Sequence, residues 1–357
     1  MAKIDLSNIS HSYNPNDANP TYALNPFSMT WENGKRYAIL GPSGCGKTTM
    51  LNIVSGLVKP SKGNILFDEK DVTNLITEER NIAQVFQFPV IYNTMTVYDN
   101  LAFPLKCRNF KKEKIEERVK SVSDTLRLSS FLNLPARKLT ADQKQLISLG
   151  RGLVREDVAG VLMDEPLTVI DPDLKFRLRR NLKEINEQYK TTLVYVTHDQ
   201  NEAMTFADNI IVMDQGEIVQ VGLPKDLFER PKTTFVGYFI GSPAMNIFES
   251  EVSSEYSVKI NNIEIKTNSN LSKLKDKNVK LGIRSEFINV AEKEGENTIK
   301  ASITRVEDFG NFKLLTANME NLVIKSKVDR ELPISIGDIN LYIPPEKCCV
   351  YENEKLI

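Results

Sequence analysis

Arg36-Tyr-Ala-Ile-Leu40 runs directly into Gly41-Pro-Ser-Gly-Cys-Gly-Lys47-Thr48, and residues 49–57 follow with a helical pattern that stops near Gly56. A strand that ends in G-x-x-x-x-G-K-[ST] and opens a helix is a phosphate-binding loop in its proper setting. The glycines let successive backbone N–H groups turn inward around a phosphate, where the helix N-terminus adds its own positive end. Lys47 is placed to neutralise terminal phosphates and Thr48 to offer its hydroxyl to Mg²⁺. A glycine-rich turn with an incidental lysine would not need the strand and the helix on the correct sides.

Outward from this loop, strand-like runs at 36–40, 159–163, 191–197 and 209–213 alternate with helical patterns such as 111–127 and 173–189. That alternation predicts right-handed crossovers and a largely parallel sheet in an α/β domain. In 111–127 the apolar Ile115, Val119, Val122 and Leu126 recur at three and four, which gives an amphipathic helix with a solvated charged face. A Gly241-Ser-Pro punctuation closes the helical region. Beyond it, short strand-like segments at 257–265, 279–284 and 322–328 are separated by Asn, Gly and Pro, the pattern of a small all-β barrel or sandwich. The expected division is therefore an α/β domain over 1–240, with a helical subdomain at 88–150, and an all-β domain over 241–357.

At 357 residues, two domains fit the length, and a hydrophobic content of 41% with 26% charged residues excludes a disordered or coiled-coil chain. Lys+Arg 46 against Asp+Glu 47 leaves a net charge of -1, so no global field draws the chain to nucleic acid or to an anionic membrane. The 4 cysteines form no CxxC pair and only 2 histidines are present, which argues against zinc and for reduced thiols. The segment 1–13 lacks the apolar core of a signal peptide, and no window approaches the apolar length of a membrane span.

Val161-Leu-Met-Asp164-Glu165 is a buried-strand run ending in two carboxylates. Asp164 at the strand end can hold Mg²⁺ through its water shell, and Glu165 can polarise an attacking water. An acidic turn after a core strand is the competing reading, and the upstream phosphate loop weakens it. His198 follows another strand, so it reaches the same carboxyl edge, where open α/β folds bind ligands. There it reads as a hydrogen-bond donor toward phosphate, whereas a single histidine is more often structural. Gln87, in Val85-Phe-Gln-Phe, would alone suggest only a core edge.

Together these residues resemble the ATP-binding subunit of an ABC transporter, in the carbohydrate-import branch that includes maltose and glycerol-phosphate importers. The resemblance spans nearly the whole chain. Tyr13 matches the aromatic that stacks on adenine, residues 41–48 the Walker A loop, Gln87 the Q-loop, Asp164 and Glu165 the Walker B end, Asp171 the D-loop and His198 the switch histidine. Residues 279–284 resemble part of the family's OB-like regulatory domain. The resemblance implies an ATPase with bound ATP and Mg²⁺. It gives a nucleotide-binding set of Tyr13, Gly41, Ser43, Gly44, Cys45, Gly46, Lys47, Thr48 and Thr49. Glu165, His198 and Gln87 would serve catalysis, and Thr48, Gln87 and Asp164 the metal. It further implies membrane permease subunits as partners, an external solute-binding protein acting indirectly, and a place on the cytoplasmic face of the membrane. The loop 89–95, directly after Gln87, is where the family docks the permease, with Tyr92 as an anchor.

One element departs from the family. Where the signature normally reads LSGGQ, this chain has Leu139-Thr140-Ala141-Asp142-Gln143. Thr140 keeps a hydroxyl, but both glycines are gone. Ala141 adds a Cβ where backbone should approach a partner's phosphate, and an ionised Asp142 would face that phosphate with negative charge. Alternatively Asp142 points away and caps the following helix. A glycine-free signature favours a heterodimer with a second cassette over a homodimer. The same spelling resembles that of polyol importers, with glycerol among the solutes. Against this reading stand a nucleotide-binding regulatory cassette with little hydrolysis, which the altered signature would suit, and a soluble ABC protein acting on nucleic acid or ribosomes. The latter expects twin cassettes or a basic tail, which the sequence does not carry.

Overall fold

The computed structural model describes residues 2–17, 19–274 and 277–357 and divides into two compact units, 1–222 and 223–357. In the first unit, Ile4–Ser12 (β1) and Tyr22–Trp31 (β2) pair antiparallel ahead of Arg36–Leu40 (β3) and Lys47–Ser55 (α1). Lys62–Phe67 (β4) and Lys70–Asp71 (β5) complete an antiparallel sheet of order β2-β1-β4-β5. Ile82–Val85 (β6) is followed by the helices Val97–Lys106 (α2), Lys112–Thr125 (α3) and Ala141–Leu153 (α4). Then Gly160–Asp164 (β7), Pro172–Tyr189 (α5), Leu193–Val196 (β8), Gln200–Phe206 (α6), Asn209–Asp214 (β9) and Glu217–Gly222 (β10) close the unit.

The second sheet runs β10-β9-β3-β8-β7-β6, parallel throughout except for the β9–β10 hairpin. Its central strands read as unbroken apolar runs because both faces are covered, and β7 and β8 are buried at every position. One core lies between the two sheets and α1, around Ile4, Trp31, Ile39, Met50 and Ile65. Another joins α2, α3 and α4 to α5 and the far face of β6–β8. Ile115, Val119, Val122 and Leu126 are all buried there, as the period of three and four requires. Gly150 lets α2 and α4 approach, since a Cβ on it would stand 2.6 Å from Leu101 Cδ2.

This sheet places the site. Strands β3, β6, β7 and β8 are parallel, so their carboxyl ends share one edge, and each runs there into a polar segment: the 41–48 loop, Gln87, Asp164 with Glu165, and His198.

The second unit begins with two short helices, Pro224–Glu229 (α7) and Thr234–Phe239 (α8). Its strands are Asn246–Ser254 (β11), Ser257–Ile260 (β12), Ile263–Lys266 (β13), Asn278–Ile283 (β14), Asn289–Ala291 (β15), Thr298–Asp308 (β16), Phe312–Met319 (β17), Leu322–Asp329 (β18), Gly337–Tyr342 (β19), Cys349–Glu352 (β20) and Lys355–Leu356 (β21). They form two antiparallel sheets, β13-β12-β11-β14-β20-β21 and β15-β19-β16-β17-β18, over a shared core that includes Phe248, Leu281, Ile299 and Leu315. The single strand expected at 257–265 is instead a hairpin, because Asn261 turns the chain with φ 51°, a left-handed conformation that Asn tolerates.

The compact unit starts ahead of the Gly-Ser-Pro punctuation, and Arg284 supplies the reason. Its side chain is fully buried and donates to the carbonyls of Phe228 at 2.8 Å, Gly237 at 2.8 Å and Ile240, with the guanidinium 4.6 Å from the Phe228 ring. Arg284 thereby fastens α7 and α8 to the end of β14. Such a guanidinium, buried without a carboxylate, is tolerable only because those carbonyls accept from it.

Candidate functional site

The 41–48 loop wraps a cleft of about 550 Å³. Its walls carry Tyr13, Ser43, Gly44, Gly46, Lys47, Thr48, Thr49, Gln87, Asp164, Glu165 and His198. Gly46 has φ 100° and a Cβ there would stand 2.4 Å from the Ala23 carbonyl oxygen, so only glycine fits. Gly41 and Cys45 are not on the wall. Cys45 is buried in the core behind the loop, which makes it a packing residue, and burial pushes its thiol pKa up.

Lys47 is 8% exposed, and its ammonium donates to the carbonyls of Gly41 and Pro42, both at 2.8 Å. The loop thus holds the cation inside its own curve, facing the space a phosphate would enter. Thr48 Oγ1 donates to Asp164 Oδ2 at 2.8 Å, which joins the first turn of α1 to the end of β7. Burial pushes the Asp164 carboxyl above the ordinary range and neighbouring Glu165 adds to that, against the opposing pull of the Thr48 hydrogen bond and Lys47. A hydroxyl and a buried carboxylate side by side, all oxygen, fit a hard divalent cation that draws its remaining ligands from water and substrate phosphates. No group of three His, Cys, Asp or Glu side chains that could cage a metal occurs among the described residues.

Glu165 is the hub on the opposite wall. Its backbone N–H donates to the Val196 carbonyl at 2.9 Å, and its φ of 45° is left-handed, at a cost of roughly 1–2 kcal/mol. This conformation turns the carboxylate into the cleft. His198 Nδ1 lies 3.1 Å from Glu165 Oε2, Gln87 Nε2 donates to the same oxygen at 3.4 Å, and Thr168 Oγ1 donates to it at 3.3 Å. Sequence reasoning missed Thr168, because nothing in a loop hydroxyl announces which carboxylate it will reach. It also missed His11, whose ring meets that of Tyr13 edge-on at 4.6 Å. Tyr13 lies just past the end of β1, so strand periodicity does not announce the contact. The Tyr13 hydroxyl lies 3.1 Å from Thr49 Oγ1 and the ring is 64% exposed, leaving an aromatic face open beside the loop.

Residues 139–143 and Asp171 are not at this cleft. Asp142, Gln143 and Asp171 line a separate cavity of about 350 Å³ between α4 and the start of α5. Asp171 caps α5, accepting from Asp173 N–H at 3.0 Å. The cap of α4 is Thr140 and not Asp142, which corrects one expectation. Thr140 and Gln143 form a capping box, with Thr140 N–H donating to Gln143 Oε1 at 3.1 Å and Gln143 N–H to Thr140 Oγ1 at 3.5 Å. Asp142 occupies the first helical turn and accepts from the Thr140 hydroxyl, so its charge stays at the positive end of the helix.

Past Gln87, Phe88 and Val90 are 72% and 53% exposed. Tyr92, expected as an outward anchor, is 39% exposed, and its ring also packs 4.7 Å from that of Phe103 and 4.8 Å from the Arg151 guanidinium. Arg151 also donates to the Val90 carbonyl, and Gln145, fully buried, donates to that of Phe86 at 3.0 Å, so α4 shapes the segment that follows β6.

Comparison with known proteins bears on both units. The profile of the ABC transporter family matches residues 24–168, and that of the MalK OB fold domain matches residues 241–288. The oligosaccharides import ATP-binding protein MsmX of Bacillus subtilis (strain 168) is 36% identical over 348 residues, covering 95% of this chain and 94% of the relative. The sn-glycerol-3-phosphate import ATP-binding protein UgpC of Psychromonas ingrahamii is 36% identical, covering 95% and 90%. The trehalose/maltose import ATP-binding protein MalK of Thermococcus litoralis is 38% identical, covering 82% and 83%. Among solved structures, the dimeric post-hydrolysis state of the ATP-binding cassette MJ0796 bound to ADP and Pi superposes with a TM-score of 0.56 at 28% identity, covering 62% of this chain and 98% of that one.

Proposed function

The chain belongs to the family of ABC importer ATP-binding subunits with a MalK-type OB-fold domain, and from that premise we propose that it hydrolyses ATP at the 41–48 cleft to power solute uptake through partner permease subunits. The observation that carries this is the convergence of Lys47, Thr48, Asp164, Glu165, Gln87 and His198 on one cleft from four parallel strands. ATP hydrolysis by the chain assembled with its permeases and a second cassette tests it, and such a complex without nucleotide turnover would reject it. A regulatory cassette without turnover and a nucleic-acid or ribosome ATPase are not favoured, because the relatives described are import subunits.

Adenine stacks on Tyr13, and the phosphates lie in the curve of the loop, where Gly44, Gly46 and the start of α1 turn N–H groups inward. Lys47 neutralises the terminal phosphates. Thr48, Asp164 and Gln87 would hold Mg²⁺, which would withdraw charge from the phosphate oxygens. Glu165 takes a proton from the attacking water as its oxygen bonds to the γ-phosphorus and the bond to the bridging oxygen of ADP breaks. His198 and Gln87, both already within reach of the Glu165 carboxylate, turn their polar groups to the γ-phosphate. The solute is a sugar or a polyol, glycerol among them. The permease and an external binding protein select it, and the chain works peripherally at the cytoplasmic face. Among the described residues no helix is long and apolar enough to cross a membrane.

The permease docks on the helical subdomain beside Gln87, where Phe88 and Val90 present apolar surface over Arg151. A Val90→Cys variant is expected to crosslink to a cysteine in a cytoplasmic permease loop during turnover. Val90 serves better than Tyr92 because it is 53% exposed against 39%. No crosslink at any loop position would count against docking there.

A second cassette with a glycine-containing signature completes the Lys47 cleft, making a heterodimer. Supporting this, residues 139–143 lie apart from the chain's own cleft, and Asp142 keeps its charge in the first turn of α4. Placing glycine at both Ala141 and Asp142 is expected to raise hydrolysis by this chain assembled with permeases alone. Full activity of the unmodified chain and permeases without a second cassette would contradict the heterodimer.

A further inference from the structure

A buried carboxylate that the scheme above does not use lies between α5 and α6. Glu202 is 4% exposed. Its Oε2 accepts from the Tyr195 hydroxyl at 2.6 Å and from Thr197 Oγ1 at 2.9 Å. Its Oε1 faces Lys175 Nζ and Arg179 Nη1, each at 3.5 Å. Two hydroxyls and two cations around one carboxylate make its burial tolerable, and they reach it from β8, the turn after β8 and α5.

The turn it grips is the one that carries His198. Thr197 Oγ1 donates to Glu202 and accepts from Asp199 N–H at 3.0 Å. Asp199 in turn caps α6, its carboxylate accepting from Asn201 N–H at 2.8 Å and Glu202 N–H at 3.2 Å. Both neighbours of His198 are thereby fixed, while the His198 side chain itself is 64% exposed. An exposed imidazole has little packing to hold it, so its backbone sets where it can reach. On the other side, Lys175 and Arg179 stand one turn apart on α5, and Lys175 N–H donates to the Asp171 carbonyl at 2.9 Å. The carboxylate of Glu202 thus ties the His198 turn to the first turns of the helix that Asp171 caps.

We propose that Glu202 is a positioning residue for hydrolysis: it sets the reach of His198 into the cleft and makes the His198 turn and the Asp171 end of α5 move together. The inference rests on the role of His198 given above. A carboxylate kept only for stability is the competing account, and the distinction lies in whether Glu202 acts through His198.

The test is a double-mutant cycle in the full chain assembled with its permeases and a second cassette, reading kcat and KM for ATP together with Tm. Glu202→Gln keeps the volume and an oxygen for the two hydroxyls but removes the charge that holds Lys175 and Arg179. It is expected to lower kcat about tenfold or more, the effect of displacing a reacting group by a fraction of an ångström, with KM for ATP within about twofold. In a His198→Ala background the same substitution is expected to cost nothing further, since its effect passes through the absent imidazole. Equal slowing in both backgrounds, or a lowered Tm with kcat unchanged, would overturn the proposal. His198→Ala hydrolysing as fast as the unmodified chain would instead overturn the role of His198 itself. If Glu202→Gln does not fold, Thr197→Val removes one hydroxyl of the same clamp, and the same non-additivity with His198→Ala is expected.

Discussion

Glu165→Gln in the assembled complex is expected to bind ATP normally and to hydrolyse it at least ~100-fold more slowly, the scale of a lost general base. The substitution keeps the shape and removes the charge. Because the left-handed backbone at Glu165 and its hydrogen bond to Val196 are unaffected, the amide occupies the same place, within reach of Gln87, Thr168 and His198. What disappears is the oxygen able to accept a proton from water. Two separate measurements decide it: equilibrium ATP binding, expected unchanged, and single-turnover phosphate release, expected nearly lost. Release at the unmodified rate would remove Glu165 from the reaction and leave Asp164 as the base to test next.

Lys47→Ala acts earlier, on binding. The ammonium sits within the loop on the Gly41 and Pro42 carbonyls, and on ATP entry it would exchange these for phosphate oxygens. Charge-assisted hydrogen bonds are worth about 1.5–3 kcal/mol each, so losing two predicts an affinity at least ~100-fold lower. The thermal midpoint should barely move, because Lys47's hydrogen-bond partners are loop carbonyls outside the apolar core. Tyr13→Ala, measured alongside, should weaken binding by roughly 1–3 kcal/mol through the lost stacking face. Unchanged affinity of Lys47→Ala would place the nucleotide elsewhere in the chain.

Both variants address residues legible in the sequence, for a physical reason. The phosphate loop is contiguous, so its chemistry and its strand-to-helix setting appear together in one stretch. Glu165 and His198 are distant in sequence, yet each directly follows an apolar strand run, and parallel strands bring such positions to one edge. The features that stayed hidden depend on side chains meeting across segments. The contacts of the Tyr92 ring with Phe103 and Arg151 are of this kind, since those residues come from α2 and α4. The cap of α4 is a local exception: Thr140 and Gln143 carry the T-x-x-Q spacing of a capping box, a signal the sequence offers and the reading of Asp142 as cap passes over. The grip of Arg284 on α7 and α8 could not be read from Gly241-Ser-Pro, which marks a break in pattern and says nothing of which unit the preceding helices join. Glu202 was invisible for the same reason, since its partners come from separate elements.

The most direct test of the account is solute accumulation in proteoliposomes holding this chain, its permease subunits and a second cassette, with the solute-binding protein outside, ATP enclosed on the side of the chain and phosphate release followed in parallel. Uptake of a labelled sugar or polyol in step with phosphate release, both lost when the chain carries Glu165→Gln, is the predicted result. Uptake that proceeds without ATP, or that continues at full rate with Glu165→Gln, would contradict it.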